Sequence, residues 1–326
     1  MKLAIAYVSP FVAAIVTLLL IAWMLKAGAR LPLDLPNERS LHQRPVPRSG
    51  GLAIMAGVLA GFAILQVPLV IVLPAALLVI VSHFDDLRGL PIAARFGAHF
   101  AAAIWFVYGA LPALPWPLLV PIVIGIVWVT NLYNFMDGSD GLAGGMTLAG
   151  FGCLAIGAAL SGDEALMIAA IIVAAAGAAF LLFNFPPARI FMGDAGSVPL
   201  GFLAVAFSLA GWRDGDWPFW FPAAAFAPFV ADATLTLLQR MLRRERFWEA
   251  HRSHYYQRLV QMGWGHRGTA FAEYALMLLG GATALWAIGQ PLYLQFAAVS
   301  ALIGIYAALA LRVDLAWRRR LQKHND

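Results

Sequence analysis

Apolar residues in this 326-residue chain fall in long blocks separated by short polar interruptions. A helix needs about 20 apolar residues to cross a bilayer. Eleven blocks approach that length: 3–25, 49–66, 67–83, 97–111, 116–131, 146–161, 164–183, 197–212, 218–239, 269–289 and 292–311. The second and third are separated only by Gln66 to Pro68, and the fourth and fifth are short, so the count is ten or eleven. The pattern predicts an all-α, polytopic membrane protein, with residues 1–326 as one integral membrane domain. Its first block, followed by Lys26 and Arg30, is long enough to be a span and does not read as a cleavable signal.

Composition excludes a pair of soluble domains. The chain is 62% hydrophobic and 12% charged, where a soluble domain is about half apolar and a quarter charged. Its single cysteine, Cys153, lies in an apolar block, which excludes a disulfide framework within one chain. The formal net charge of +5 matters less than where the charges fall. With eleven spans, segments 26–48, 84–96, 132–145, 184–196, 240–268 and the tail after 311 share one side. That side holds every Lys and Arg except Lys2 and Arg213. Basic loops stay in the cytoplasm. The amino terminus is therefore expected outside and the carboxyl terminus inside, with active-site loops facing the cytoplasm.

Polar chemistry concentrates on that side, around NLYNFMDGSDGLAGG at 131–145. Asn131, Asn134, Asp137 and Asp140 follow one another at three-residue steps, which would put them near one face of a helix. Gly138, Gly141, Gly144 and Gly145 favour a turn or loop instead. Two carboxylates and two amides beside a membrane suit a hard divalent cation, a phosphate held through it, or a polar nucleotide. A capping turn is the plainer alternative.

Other segments of the same side add charge. Loop 26–48 is basic and ends in Gly50-Gly51, as an anion-binding loop or a topogenic one. HFDDLRGLP at 83–91 sets Asp85 beside Asp86, two like charges that need a cation between them or a solvated helix end. FMGDAGS places Asp194 between Gly193 and Gly196, which let backbone amides approach a ligand. A helix cap would read the same. Asp232 lies within a span, and Arg240, eight residues on, is its candidate partner. Glu273 reads as an ordinary interfacial residue. Segment 239–268 is basic and aromatic, with His251, Arg252 and His254 clustered. No acidic ligand at zinc spacing accompanies them, so a diphosphate or anionic lipid suits them better. Carboxylates for a divalent cation beside cationic groups for phosphates are the parts of phosphoryl transfer. No Walker-type glycine loop is present.

HFDDLRG, NLYNFMDGSDGLAGG, FMGDAGS and AHRSHYYQRL, in that order, resemble the polyprenyl-phosphate N-acetylhexosamine-1-phosphate transferases. The resemblance runs from 36 to 268. It implies transfer of a sugar 1-phosphate from a UDP-N-acetylhexosamine to undecaprenyl phosphate, releasing UMP, with magnesium or manganese, at the bacterial inner membrane. It also implies membrane-lipid contacts, a homodimer and no nucleic-acid partner. By resemblance Asp194 is a metal ligand, with Asn134 contributing. Asp85 orients or deprotonates the lipid phosphate, and Asp86 shapes the phosphate and metal site. Asp137 and Asp140 complete the catalytic group. Asn131, Asn134, His251, Arg252, His254 and Arg44 bind substrate.

Two departures qualify the match. Arg88 follows the Asp pair, where the muramyl-peptide members of the family carry a Lys. The loop motif reads His-Arg-Ser-His where those members carry His-x-His-His, which is closer to the members that initiate O-antigen. A transporter or flippase would also suit eleven spans and an intramembrane Asp232. Against it, the acids gather at one edge and no inverted repeat is visible. A CDP-alcohol type phosphotransferase would have far fewer spans.

Overall fold

The computed structural model describes residues 5–27, 32–34, 41, 44–245 and 251–325. Each of the eleven apolar blocks lies on a helix. Nine spans among the described residues are long and apolar enough to cross a membrane. Seven are single helices: α1 (Ser9–Ala27), α3 (Leu69–Arg88), α4 (Ile92–Ala110), α5 (Trp116–Phe135), α6 (Leu142–Ser161), α7 (Glu164–Asn184) and α8 (Asp194–Asp214). An eighth is built from α11 (Tyr255–Leu259), a π-helical turn at Val260–Trp264 and α12 (Gly265–Ile288), and the ninth is α13 (Leu292–Asn325). The remaining two blocks form shorter helices. α2 (Gly50–Leu65) has 16 residues. Block 218–239 is split at Phe226 into α9 (Phe221–Ala225) and α10 (Ala227–Leu242), where Pro228 has no N–H to continue the hydrogen-bond ladder.

Several helices run past the hydropathy boundaries at the end that carries the basic loops. α3 runs on to Arg88, so Asp85 and Asp86 occupy its last turn. α4 begins directly after Pro91, which makes Arg95 helical. α6 and α8 begin behind Gly141 and Gly193, whose φ values of 78° and 73° suit glycine alone. The basic tail after residue 311 is a continuation of α13. Hydropathy marks where lipid ends; the backbone keeps its ladder for a turn or more beyond, because each N–H and C=O still needs a partner.

α8 is the most buried span and lies against α2, α3, α5 and α6. Its crossing with α2 is made by glycine on glycine. A Cβ on Gly51 would lie 2.4 Å from the Gly196 Cα. α13 sits at the periphery against α12. A two-residue antiparallel ladder pairs Leu33–Asp34 with Val46–Pro47. It is stitched to the α7–α8 connection by Phe191 N–H to Pro47 O (2.7 Å), Gly50 N–H to Phe191 O (2.9 Å) and Gly51 N–H to Met192 O (2.8 Å). These straps gather the α1–α2 and α7–α8 connections at the end of the bundle that carries the basic loops.

Candidate active site

At that basic end, a cavity of about 310 Å³ opens between helix termini. Asp86 enters it from the last turn of α3, Asn134 from the end of α5, and Asp137, Ser139 and Asp140 from the α5–α6 turn. Asp194 enters from the first turn of α8; Asp34, Arg48, Asn184, Gln257 and His266 also line the wall. The free N–H groups and positive dipole of a helix start favour anions there. Gly193 has to be glycine for this geometry. A Cβ would lie 2.7 Å from Arg48 O and 3.1 Å from an Asp86 carboxylate oxygen.

Carboxylates crowd the cavity, and arginines answer part of the charge. Arg95 bridges two helices, with Nε 2.9 Å from Asp85 Oδ2 and Nη2 3.3 Å from Asp194 Oδ2. Asp85 Oδ1 also accepts the Leu90 N–H at 2.7 Å, which ties the α3–α4 corner. Arg48 lies 3.8 Å from Asp86 and donates to the Asp86 carbonyl. Asp86 Oδ2 accepts the Ala195 N–H at 3.2 Å. Asp137 is pushed well above the usual carboxylate range. Burial is the first cause, followed by the negative charges of Asp194 and Asp86, against an opposing Gly193 N–H. Asn134 Oδ1 accepts the Ser197 hydroxyl at 2.6 Å.

Asp140 is held by two other segments, the α7–α8 connection and the start of α12. It accepts the Ala188 N–H at 2.9 Å and lies 3.6 Å from His266 Nδ1. That Nδ1 accepts from Ser139 Oγ (2.9 Å) and from Asp140 N–H (3.3 Å), so the ring proton sits on Nε2 and points to Leu41 O at 3.2 Å. The wall of oxygen donors fits a hard divalent cation, because Asp86, Asp137 and Asp194 share one cavity and repel one another. Among the described residues, no three His, Cys, Asp or Glu side chains already enclose an ion. Asp194 leans instead toward Arg95, and Asp86 toward the Ala195 N–H.

Residues 68–211 match the family described as glycosyl transferase family 4. A probable undecaprenyl-phosphate N-acetylglucosaminyl 1-phosphate transferase of Bacillus subtilis (strain 168) is 30% identical over 298 residues, covering 83% of this chain and 82% of the relative. This chain belongs to the polyprenyl-phosphate N-acetylhexosamine-1-phosphate transferase family. The decaprenyl-phosphate N-acetylglucosaminephosphotransferase of Mycobacterium leprae (strain TN) is 26% identical over 288 residues, 73% of this chain and 72% of its own. The undecaprenyl-phosphate alpha-N-acetylglucosaminyl 1-phosphate transferase of Escherichia coli (strain K12) is 26% identical over 195 residues, 53% of each chain.

For a chain of this transferase family, the structure brings some of the expected residues together and leaves others apart. Asp86, Asn134, Asp137, Asp140 and Asp194 line one cavity, and Asp85 stands just behind it on Arg95. Asn131 turns away: α5 is helical there, and its Nδ2 lies 3.1 Å from His99 Nδ1 and donates to Val127 O. Arg44 is exposed and outside the lining. His251, Arg252 and His254 flank the cavity at the start of α11 without lining it; Gln257 is the residue of that segment that does.

Two further expectations change. Arg240 pairs with Glu245 at 2.8 Å, while Asp232 binds the His254 loop. Glu273 is buried and not interfacial. Arg48, Arg95, Gln257 and His266 escaped the sequence reading. Arg95 carried one signal, a lone cation one turn into an apolar helix starting at Pro91. His266 and Gln257 carried none, because their places depend on contacts across more than a hundred residues.

Proposed function

We propose that this protein transfers N-acetylhexosamine 1-phosphate from a UDP-sugar to undecaprenyl phosphate. The products are undecaprenyl-diphospho-sugar and UMP. In this reading it acts at the cytoplasmic face of a bacterial inner membrane, with its amino terminus periplasmic, and initiates a surface polysaccharide of the O-antigen type. One observation carries the reading: a single polar cavity, walled by Asp86, Asn134, Asp137, Asp140 and Asp194, lies at the ends of helices whose remaining length is apolar. A lipid phosphate can reach such a cavity from the bilayer and a nucleotide from water. The names of the relatives, polyprenyl-phosphate transferases of N-acetylglucosamine 1-phosphate, support the same class.

The chemistry is an in-line displacement. An oxygen of the lipid phosphate bonds to the β-phosphorus of the UDP-sugar, and the bond from that phosphorus to the bridging oxygen breaks. UMP leaves with the bridging oxygen, while the sugar stays on the transferred phosphate. Asp194 and Asp137, with the Asn134 carbonyl, would hold magnesium or manganese, which when bound neutralises diphosphate charge and polarises the phosphoryl group. Arg95 holds Asp85 in place beside the incoming lipid phosphate. Arg48 and the exposed Arg252 supply cationic groups to phosphate oxygens at the cavity rim. Burial holds His251 down to about 4, so its ring meets a phosphate neutral unless the phosphate itself draws in a proton.

Purified protein in detergent, given undecaprenyl phosphate, magnesium and a panel of UDP-N-acetylhexosamines, tests this. UMP release that needs both lipid and metal, for one sugar above the rest, is the expected result. UMP release without the lipid would mean a hydrolase instead.

A further inference from the structure

Asp232 sits inside α10 and is 5% exposed, and among the described residues no lysine or arginine lies at ion-pair distance from it. Of its four hydrogen-bond donors, three come from the segment that starts α11. Oδ1 accepts from His254 Nδ1 (3.0 Å), the Tyr255 N–H (2.9 Å) and the Thr236 hydroxyl (3.0 Å). Oδ2 accepts the Tyr256 N–H at 2.9 Å. These donors saturate Oδ1, and with 5% exposure the carboxylate has no open path to a substrate. Its burial is offset by the same bonds.

We propose that Asp232 is a positioning residue for the transfer reaction, anchoring the His254 ring and the first turn of α11 against the acidic cavity. The claim about the reaction rests on the function proposed above; the anchor itself does not. The chain of contact from Asp232 to the cavity is short. With Nδ1–H pointed at the carboxylate, the His254 tautomer and ring plane are fixed, leaving Nε2 for the far side. The ring is stacked between His251 (centroids 4.9 Å apart) and Tyr256 (5.8 Å), with Phe135 at 6.2 Å. Tyr256 carries the anchor onward. Its hydroxyl donates to Phe135 O at 3.1 Å, over Gly138, where a Cβ would come within 2.2 Å of it. Gln257 accepts the His254 N–H at 3.1 Å and lines the cavity. One carboxylate thus sets the register of the His-Arg-Ser-His segment relative to the Asn134–Asp140 loop. Asparagine at 232 would keep the shape but turn an NH2 group toward a backbone donor, so one contact becomes donor against donor.

A double-mutant cycle separates positioning from general packing. Turnover and KM for both substrates are measured for wild type, Asp232→Asn, His254→Gln and the double variant, each first shown monodisperse in detergent. Asp232→Asn should lower kcat on the order of 100-fold. In the His254→Gln background the same change should cost less than about 3-fold, because both residues act through one ring. Asp232→Glu, which keeps the carboxylate, should recover part of the loss. Losses that multiply, or an Asp232→Asn variant with wild-type kcat, overturn the proposal.

A second readout needs no activity. In whole protein labelled with [15N]histidine, His254 should carry its proton on Nδ1, and in Asp232→Asn it should not. Should Asp232→Asn fail to fold, the wild-type spectrum together with Asp232→Glu decides. A wild type that releases no UMP defeats the transferase reading alone. A His254 Nδ1–H signal would then still uphold the anchor, and its absence would overturn it.

Discussion

Asp194 is drawn two ways: its Oδ2 lies 3.3 Å from Arg95 Nη2, while its charge presses on Asp137. Asp194→Asn removes that charge with little change in shape. Turnover should fall on the order of 100-fold or more, in protein that still extracts and elutes as wild type. Full activity in that variant would remove Asp194 from the site. His251 gives a separate, pH-dependent prediction. Its ring is held at about 4 against an ordinary histidine value of 6.5, first by burial and then by the positive charges of His254 and Arg240, with Arg258 adding to them against Asp232. Between those two values the unfolded chain holds the proton and the folded one does not. Stability from this group therefore rises with pH across that window and is fully present above 6.5. The melting temperature in detergent should drop as pH falls from about 7 toward 4.5, and His251→Asn should flatten the drop. Equal slopes in the two proteins would contradict the assignment. At this scale Asp86, Asn134, Asp137, Asp140 and Asp194, which share the cavity, were legible as short polar interruptions in apolar text, and Asp34 was not. Their partners were poorly legible. Arg48 and His266 reach the cavity, and Arg95 reaches Asp194, through tertiary contacts that no spacing encodes.

The helices themselves were legible as blocks, but their ends were not. Asp85 and Asp194 fall outside the apolar blocks 67–83 and 197–212 yet are helical, because the ladder outlasts the apolar stretch. That difference matters for function, since the last turn of α3 and the first turn of α8 aim their carboxylates in fixed directions. The α2–α8 crossing sets how close those two ends come. A Cβ on Gly51 would lie 2.3 Å from Gly196 N, and backbone cannot move aside as a side chain can. Gly51→Ala should destabilise by about 1–3 kcal/mol or more through overpacking, and should lower activity by parting α2 from α8. Gly152→Ala is the matched control, in the middle of α6 with nothing within 4 Å of its Cβ position. It should be neutral or raise stability by about 0.5–1 kcal/mol, as alanine does in a helix. Thermal unfolding of both variants checks the pair, and equal losses would mean the crossing is not what limits packing. The break at Phe226 was invisible to hydropathy, although Pro222 and Pro228 were there to suggest it.

Across the whole molecule, polar function and positive charge share one end of the bundle. The opposite connections, such as Ser161–Asp163, are short and carry few basic residues. The proposed orientation makes a direct prediction. In a Cys153→Ala background, Ser161→Cys should react with a membrane-impermeant thiol reagent in intact cells. Arg243→Cys should react only in inverted vesicles, and the reverse pattern would turn the molecule over. Asp86, Asp137, Asp140 and Asp194 gather in one cavity at the end that carries the basic loops, which is where the proposed transfer needs them. The most direct test follows the label. The protein is given undecaprenyl phosphate and a UDP-N-acetylhexosamine carrying 32P at the β-phosphorus, with magnesium present. The account predicts that the label moves into the lipid fraction in step with unlabelled UMP. Label that leaves as UDP, with sugar alone on the lipid, would contradict it, because the β-phosphorus would then never have been the atom attacked.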